Sequence, residues 1–113
     1  MDTALSVSRR PAPPGVTVVA LHGSADLDSA AVLAGALRRV LATPPAPGTL
    51  VVDCSGVSFC SSSGLNELLR ARRVADEAGV VFRLASPSRQ VARLLTLTGA
   101  DTVFDVVPAE LPA

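Results

Sequence analysis

Short continuous apolar runs alternate along this chain with longer segments in which apolar residues recur at helical spacing. The run at 49–53, with Val51 and Val52 at its centre, is typical of a strand that is covered on both faces, as in parallel sheets. Other runs bounded by proline, glycine or polar residues indicate further strands. The predicted strands are residues 4–9, 16–21, 49–53, 80–85 and 103–107. Residues 22–26 and the segment between Cys54 and Cys60 are predicted to be loops.

The first predicted helix follows residues 22–26. Either Asp28 or Ser29 can cap its N-terminus, and a proline-rich connector at 43–48 ends it. Its apolar residues fall at i, i+3, i+4, i+7 and i+8, which places them on one face. The residues expected to be buried on that face are Leu33, Ala36, Leu37, Val40 and Leu41.

Two further helices are predicted in the second half of the chain. One begins after a cluster of three serines and ends near Gly79, and the other begins at Ser86-Pro87 and ends at Gly99. The expected buried residues are Leu65, Leu68, Leu69, Ala71, Ala75 and Ala78 in the former and Val91, Leu94 and Leu95 in the latter.

The order of these elements predicts an α/β fold with a single layer of mixed sheet, about five strands, and helices packed on it. The proline and glycine turn at 11–15 predicts that the first two strands form an antiparallel pair. Right-handed crossovers would make the strands at 49–53, 80–85 and 103–107 parallel. The 113 residues suit one domain, 1–113, with a frayed tail at 108–113.

Composition excludes several classes of function. The chain has no lysine, so it lacks both a Walker A lysine and a Schiff-base lysine. One histidine and two cysteines make a metal site improbable, and no cofactor is expected. Ten arginines balance ten acidic residues, and aromatic residues make up only 3% of the chain, so neither nucleic acid nor an anionic membrane is an expected partner.

Cys54 and Cys60 are interpreted as reduced thiols. No signal peptide is recognisable at the N-terminus, so a cytoplasmic location is expected, in which disulfides are rare. No apolar run approaches the roughly 18 residues that a membrane span needs.

The serine cluster, Ser61 to Ser63 followed by Gly64, lies at a predicted strand-to-helix junction. A helix N-terminus offers unpaired N–H groups and the positive end of the macrodipole, so a phosphate could be accepted there. Serine is also a favoured N-cap, so a purely structural role is the alternative. A serine hydrolase is disfavoured, because Cys60 occupies the place of the first glycine of a nucleophile elbow and His22 is the only possible histidine base.

Residues 53–65, DCSGVSFCSSSGL, resemble the signature of the STAS domain of anti-sigma factor antagonists, approximately D-x-S-G-V-x-F-x-D-S-S-G-L. The segment 21–27 resembles the G-x-x-D segment of that family, and 94–99 with Val103-Phe104 resembles its closing segment. The three segments occur in the family's order and spacing, and they span nearly the whole chain. This chain departs from the pattern at Ser61, which stands where the family has an acidic residue.

The resemblance implies a bacterial, non-enzymatic regulator that binds an anti-sigma factor with serine kinase activity and so frees a sigma factor. It implies that Ser62 is the phosphorylated serine, with Ser61 and Ser63 as competing acceptors. Phosphorylation would end binding, and a phosphatase would restore it. The alternative is a constitutive STAS interaction module, in a sensor complex or a transporter subunit, that is not phosphorylated.

The expected partner surface surrounds the serines. It includes Asp26, which matches the acidic residue of the family's first loop and would supply a negative neighbour for Ser62; a turn or capping role is its alternative. The exposed face of the second helix would share the surface, although arginine is also common on solvated helices. The expected partner-binding residues are Asp26, Ser61, Ser62, Ser63, Gly64, Asn66, Arg70 and Arg73.

Overall fold

The computed structural model describes residues 4–108, which form five strands and three α-helices. The strands are β1 Ser6–Arg10, β2 Val16–Ala25, β3 Thr49–Cys60, β4 Val81–Ala85 and β5 Asp105–Val107. The helices are α1 Ala30–Ala42, α2 Ser62–Glu77 and α3 Arg89–Thr98, and a 3-10 turn, Ala100–Thr102, follows α3.

The strands form one sheet in the order β1-β2-β3-β4-β5. β1 pairs antiparallel with β2, and every other neighbouring pair is parallel. These pairings confirm the predicted mixed sheet, the antiparallel first pair and the parallel arrangement of the last three strands. Because β2 and β3 are parallel and each is followed by a helix, α1 and α2 both start at the same end of the sheet.

One apolar cluster joins the sheet to all three helices. Alternate residues of the central strands, such as Leu50 and Val52 in β3, share this cluster with Leu33 and Leu37 of α1 and Leu68 of α2, and all five are almost fully buried. Each such side chain stabilises the fold by about 1.5–3 kcal/mol. Every residue predicted for the buried face of α1 is buried.

The opposite face of the sheet holds a smaller apolar cluster around Val18, Val51 and Ala85. Asp53 is also buried, and its carboxylate forms an ion pair of 2.8 Å with Arg10 of the edge strand. β3 is therefore covered on both faces at this level, as the continuous run at 49–53 predicts.

The predicted loops at 22–26 and between the cysteines are wrong, because β2 and β3 continue to pair as far as Ala25 and Cys60. The register shifts twice in this extension, between Ala20 and His22 and between Gly23 and Ser24 of β2. Gly56 allows the two backbones to approach, since a Cβ at this position would lie 2.7 Å from the carbonyl oxygen of Leu21. The extension carries β3 directly to the serine cluster.

Smaller corrections concern the ends of elements. α3 begins two residues later than predicted because Ser88 is its N-cap and accepts a hydrogen bond from the N–H of Val91 at 3.3 Å. Ser86 instead has a left-handed φ of 49°. β5 begins at Asp105 because the 3-10 turn occupies the preceding residues. Ala78 is exposed, since α2 ends before it.

Other predicted boundaries agree with the structure. Ser29 is the N-cap residue of α1, Thr43 follows its last turn, and Gly99 ends α3 with a left-handed φ of 77°. Of the predicted frayed tail at 108–113, residues 109–113 lie outside the described residues.

Candidate functional site

The junction between β3 and α2 is held by two hydrogen bonds that its backbone N–H groups donate to other parts of the chain. The N–H of Cys60 donates to Oε1 of Gln90 in α3 at 2.8 Å, and the N–H of Ser61 donates to the carbonyl oxygen of Ala25 at 2.9 Å. Ser61 is the N-cap residue, with extended backbone angles, and α2 begins at Ser62. The position of the serine cluster is therefore determined by β2 and α3 as well as by its own strand and helix.

The three serines have different environments. Ser62 is exposed, and Ser63 is half-buried. The hydroxyl of Ser61 is buried and finds no hydrogen-bond partner among residues 4–108, and it does not cap α2. In this conformation a kinase can reach the hydroxyl of Ser62 and cannot reach that of Ser61.

The first turn of α2 is suited to a negative charge. Its first intrahelical hydrogen bond runs from the N–H of Leu65 to the carbonyl oxygen of Ser61, and within residues 4–108 no side chain caps the N–H groups that precede it. No acidic residue lies in this turn. A phosphate on Ser62 would therefore stand at the positive end of the helix dipole without a neighbouring negative charge in the turn.

Gly64 brings this first turn against the end of β2. A Cβ on Gly64 would lie 2.4 Å from the carbonyl oxygen of Ala25 and 2.9 Å from the Cβ of Ala25. No side chain fits in that space without displacing backbone. Gly64 is buried, and its close packing on Ala25 fixes the position of the first turn of α2, which begins with Ser62.

Asp26 lies at the same end of the sheet, directly after the Ala25 carbonyl that contacts the junction. Its Oδ1 accepts hydrogen bonds from the N–H and the hydroxyl of Ser29, at 3.1 and 3.2 Å, and its own N–H donates to Oγ of Ser29 at 2.9 Å. This reciprocal pair is the turn-and-cap role named as the alternative for Asp26. The carboxylate is thus held towards the start of α1.

The exposed side of α2 carries the other predicted partner-binding residues. Asn66, Arg70 and Arg73 are all exposed and follow Ser62 at helical spacing. Arg70 forms an ion pair of 3.4 Å with Glu67 in its own helix, and 71% of its side chain remains exposed. The exposed side of α2 thus joins the accessible serine to a row of polar and positively charged groups.

Two apolar side chains near the junction were not among the predicted partner-binding residues. Leu27, next to Asp26, is 77% exposed, and Phe59, close to the end of β3, is 40% exposed. An isolated exposed leucine carries little meaning, but these two lie at the sheet end that also presents Ser62. The only signal for Phe59 in the sequence was its place in the serine motif. We call Leu27, Phe59 and Ser62 together the junction surface.

The two cysteines are free and buried. Burial, followed by the charges of Cys60 and Asp53, raises the pKa of the Cys54 thiol to about 12, and burial raises the pKa of Cys60 to about 11. Both groups are therefore protonated near neutral pH and are poor nucleophiles.

The described part of the chain offers neither a metal site nor a membrane-spanning helix. Residues 4–108 contain no group of three His, Cys, Asp or Glu side chains that could hold a metal ion. Within the same range, none of the helices combines the length and apolar character that a membrane span requires.

Comparisons with known proteins agree with this geometry. A family model described as Mlab, STAS domain, matches residues 8–108. The chain is 34% identical over 90 residues to the anti-sigma-F factor antagonist RsfB of Mycobacterium tuberculosis (strain ATCC 25618 / H37Rv), covering 80% of this chain and 71% of RsfB.

Solved structures show the same fold. An anti-sigma factor antagonist from Mycobacterium paratuberculosis matches with a TM-score of 0.84 and 28% identity, covering 95% of this chain and 88% of that one. The anti-sigma factor antagonist SpoIIAA in its unphosphorylated form matches with a TM-score of 0.73, covering 93% of this chain and 90% of that one. Its identity is 19%, so this second likeness concerns the fold alone.

Proposed function

The chain belongs to the STAS domain family, and we propose that it is an anti-sigma factor antagonist switched by phosphorylation of Ser62. The unmodified protein binds an anti-sigma factor that is also a serine kinase, and this binding releases a sigma factor. Phosphorylation of Ser62 ends the binding, and a phosphatase restores it. The observation that carries this proposal is that Ser62 is exposed at the first position of α2, while the hydroxyl of Ser61 is buried.

The relatives support the general role. RsfB and the Mycobacterium paratuberculosis protein are both named as anti-sigma factor antagonists, and each aligns with most of this chain. They are regulators, and we infer that this protein likewise has no catalytic activity of its own. In keeping with this, both thiols are protonated near neutral pH and are poor nucleophiles.

The switch works through charge on the junction surface. A phosphate adds about −1.5 to −2 charges near neutral pH. On Ser62 that charge lies at the same end of the sheet as the exposed apolar side chains of Leu27 and Phe59, and a partner that docks on this end covers all three residues. Docking then requires the phosphate to lose water, or to face acidic groups of the partner. A penalty of about 2–3 kcal/mol corresponds to a loss in affinity of roughly 30- to 150-fold.

Phosphate mapping tests the assignment of Ser62. The protein is incubated with its cognate anti-sigma kinase and ATP, and the modified residue is identified by mass spectrometry. We expect one phosphate on Ser62, which disappears in Ser62→Ala and persists in Ser61→Ala and Ser63→Ala. Phosphate on Ser61 or Ser63 in the wild type would overturn the assignment. Absence of any phosphate, with binding retained, would favour the constitutive interaction module.

A charge substitution tests the switch itself. Ser62→Asp should weaken binding to the anti-sigma factor by at least about tenfold, because it places a negative charge on the junction surface. Thr96→Asp is the matched control, since Thr96 is exposed on α3, away from the β3–α2 junction. Equal affinities of Ser62→Asp and wild type would rule out the charge mechanism.

A further inference from the structure

A second surface feature lies between α1 and α2, and of the residues that the sequence assigned to the site only Arg70 lines it. The two helices pack side by side and leave a groove of about 280 Å³ between their outer faces. Both helices contribute to its walls. The lining residues are Ala34, Leu37, Arg38, Leu41, Glu67, Arg70, Ala71 and Val74.

The floor of this groove is apolar. Leu37, Leu41 and Ala71 are buried beneath it, and Val74 stands at its edge with 46% of its surface exposed. The fold does not require Val74 to be apolar, because other residues of α2 form the buried face of the helix. An occupant that contacts the floor must therefore be apolar itself.

The walls of the groove carry positive charge. Arg38 of α1 is exposed, and no carboxylate within residues 4–108 lies at ion-pair distance from it. Arg70, on the opposite wall, is only partly neutralised by Glu67 at 3.4 Å, because most of its side chain is solvated. Arg73 adds a further exposed charge on α2. Guanidinium groups of this kind bind carboxylates in a bidentate manner.

We propose that the α1–α2 groove binds an acidic amphipathic helix of the anti-sigma factor, an inference that rests on the proposed function. Apolar residues at i and i+3 or i+4 of that helix cover the floor, and acidic residues flanking them pair with Arg38 and Arg70. A nucleic acid does not suit this groove, because its floor is apolar and Glu67 lies in its wall.

The groove and the junction surface both include residues of α2. Arg70 follows Ser62 by eight residues, a rise of about 12 Å along the helix, so one partner can cover both. That separation is also somewhat more than the Debye length of about 8 Å at physiological ionic strength. The groove therefore supplies a part of the affinity that the phosphate on Ser62 scarcely changes, whereas the junction surface supplies the part that it removes.

Charge reversal at Arg38 tests the proposal. Dissociation constants for the cognate anti-sigma factor are measured by calorimetry for wild type, Arg38→Glu and the control Arg93→Glu. Arg93 is equally exposed, lies on α3, and has no ion pair within residues 4–108. We expect Arg38→Glu to raise Kd about tenfold and to lower its salt dependence, and Arg93→Glu to leave Kd within about twofold.

The apolar floor is tested with a second matched pair. Val74→Ser should raise Kd several-fold, whereas Val103→Ser should not, although Val103 is exposed to a similar extent, 42% against 46%. Thermal melts show that each variant remains folded.

The outcomes separate the groove from the switch. If Arg38→Glu and Val74→Ser bind like wild type while Ser62→Asp does not bind, the groove proposal is overturned and the proposed function stands. If both arginine variants weaken binding equally, the effect is one of net charge and the groove proposal again fails. If the wild type does not bind the anti-sigma factor at all, the proposed function fails, and the groove proposal fails with it.

Discussion

Replacing Gly64 with alanine should destabilise the protein, although alanine is the better helix former. The new Cβ would lie 2.4 Å from the carbonyl oxygen of Ala25, so the first turn of α2 must move away from β2 by about 0.8–1 Å to reach an ordinary contact. That movement stretches the 2.9 Å hydrogen bond from the N–H of Ser61 to the same oxygen. Overpacking costs about 1–3 kcal/mol and the hydrogen bond about 1 kcal/mol, against a gain of about 1 kcal/mol in helix propensity.

The net expectation for Gly64→Ala is a loss of about 1–3 kcal/mol in the free energy of unfolding. In a thermal melt followed by circular dichroism, this corresponds to a fall in Tm of roughly 4–12 °C for a domain of this size. Gly35→Ala in α1 is the matched control, because the atom nearest to its Cβ would be Nη1 of Arg39 at 3.7 Å, an ordinary contact. Gly35→Ala should raise stability by up to about 1 kcal/mol.

The result that would refute this reasoning is a Gly64→Ala protein that melts at or above the wild-type temperature while Gly35→Ala behaves as expected. The close approach of α2 to Ala25 would then not exist as described. Phosphorylation offers a second measurement, since displacing the first turn also displaces Ser62. We therefore expect Gly64→Ala to be phosphorylated more slowly than wild type.

Three further predictions concern the same junction. Ser61→Asp places at the N-cap the acidic residue that the family pattern has there. It should raise the free energy of unfolding by about 0.5–1 kcal/mol in denaturant titrations, because the Ser61 hydroxyl makes no capping bond within residues 4–108. A loss of stability would show that the site does not accommodate a carboxylate. Gln90→Ala should lower the free energy of unfolding by about 1 kcal/mol, because the N–H of Cys60 loses its acceptor. Gln90→Glu keeps an acceptor and should melt close to wild type, and equal melting temperatures for Gln90→Ala and wild type would argue against the hydrogen bond. The free energy of unfolding should fall as pH rises above 9, because the thiols of the unfolded chain ionise near the ordinary pKa of 9.0, whereas the raised pKa values of Cys54 and Cys60 keep the native thiols protonated to about pH 11. Equilibrium unfolding at pH 8 and pH 10 measures this fall. A Cys54→Ala/Cys60→Ala variant should lose the thiol contribution to the dependence of stability on pH.

The strands and helices were predictable where one kind of periodicity extends over several residues. The apolar run at 49–53 predicts a strand and the i, i+3, i+4 spacing in 33–41 predicts a helix, and both are confirmed. Sequence pattern failed at the ends of β2 and β3, where the residues are small or polar. Their pairing depends on two register shifts and on the absence of a Cβ at Gly56, which are properties of the backbone that polarity does not report.

The sequence predicted where the candidate site lies, but it could not predict which of its hydroxyls is exposed. The motif at 53–65 identified the serine cluster, but three adjacent hydroxyls are equivalent in a sequence. Burial distinguishes Ser61 from Ser62 because the Ala25 carbonyl and Gly64 draw the start of α2 onto β2. Arg38 could not be assigned to any site, since its relation to Arg70 exists only once α1 and α2 lie side by side.

The position of Ser62 explains why the proposed switch can act without unfolding the protein. A phosphate there meets uncapped N–H groups and the positive end of the α2 dipole, and the nearest acidic side chain in the α2 sequence, Glu67, lies more than one helical turn away. The modification is therefore neutral or mildly favourable for the fold. In the proposed switch, its cost arises when a partner docks on the junction surface and takes the phosphate out of water. A single charge can thus control association while the stability of the domain changes little.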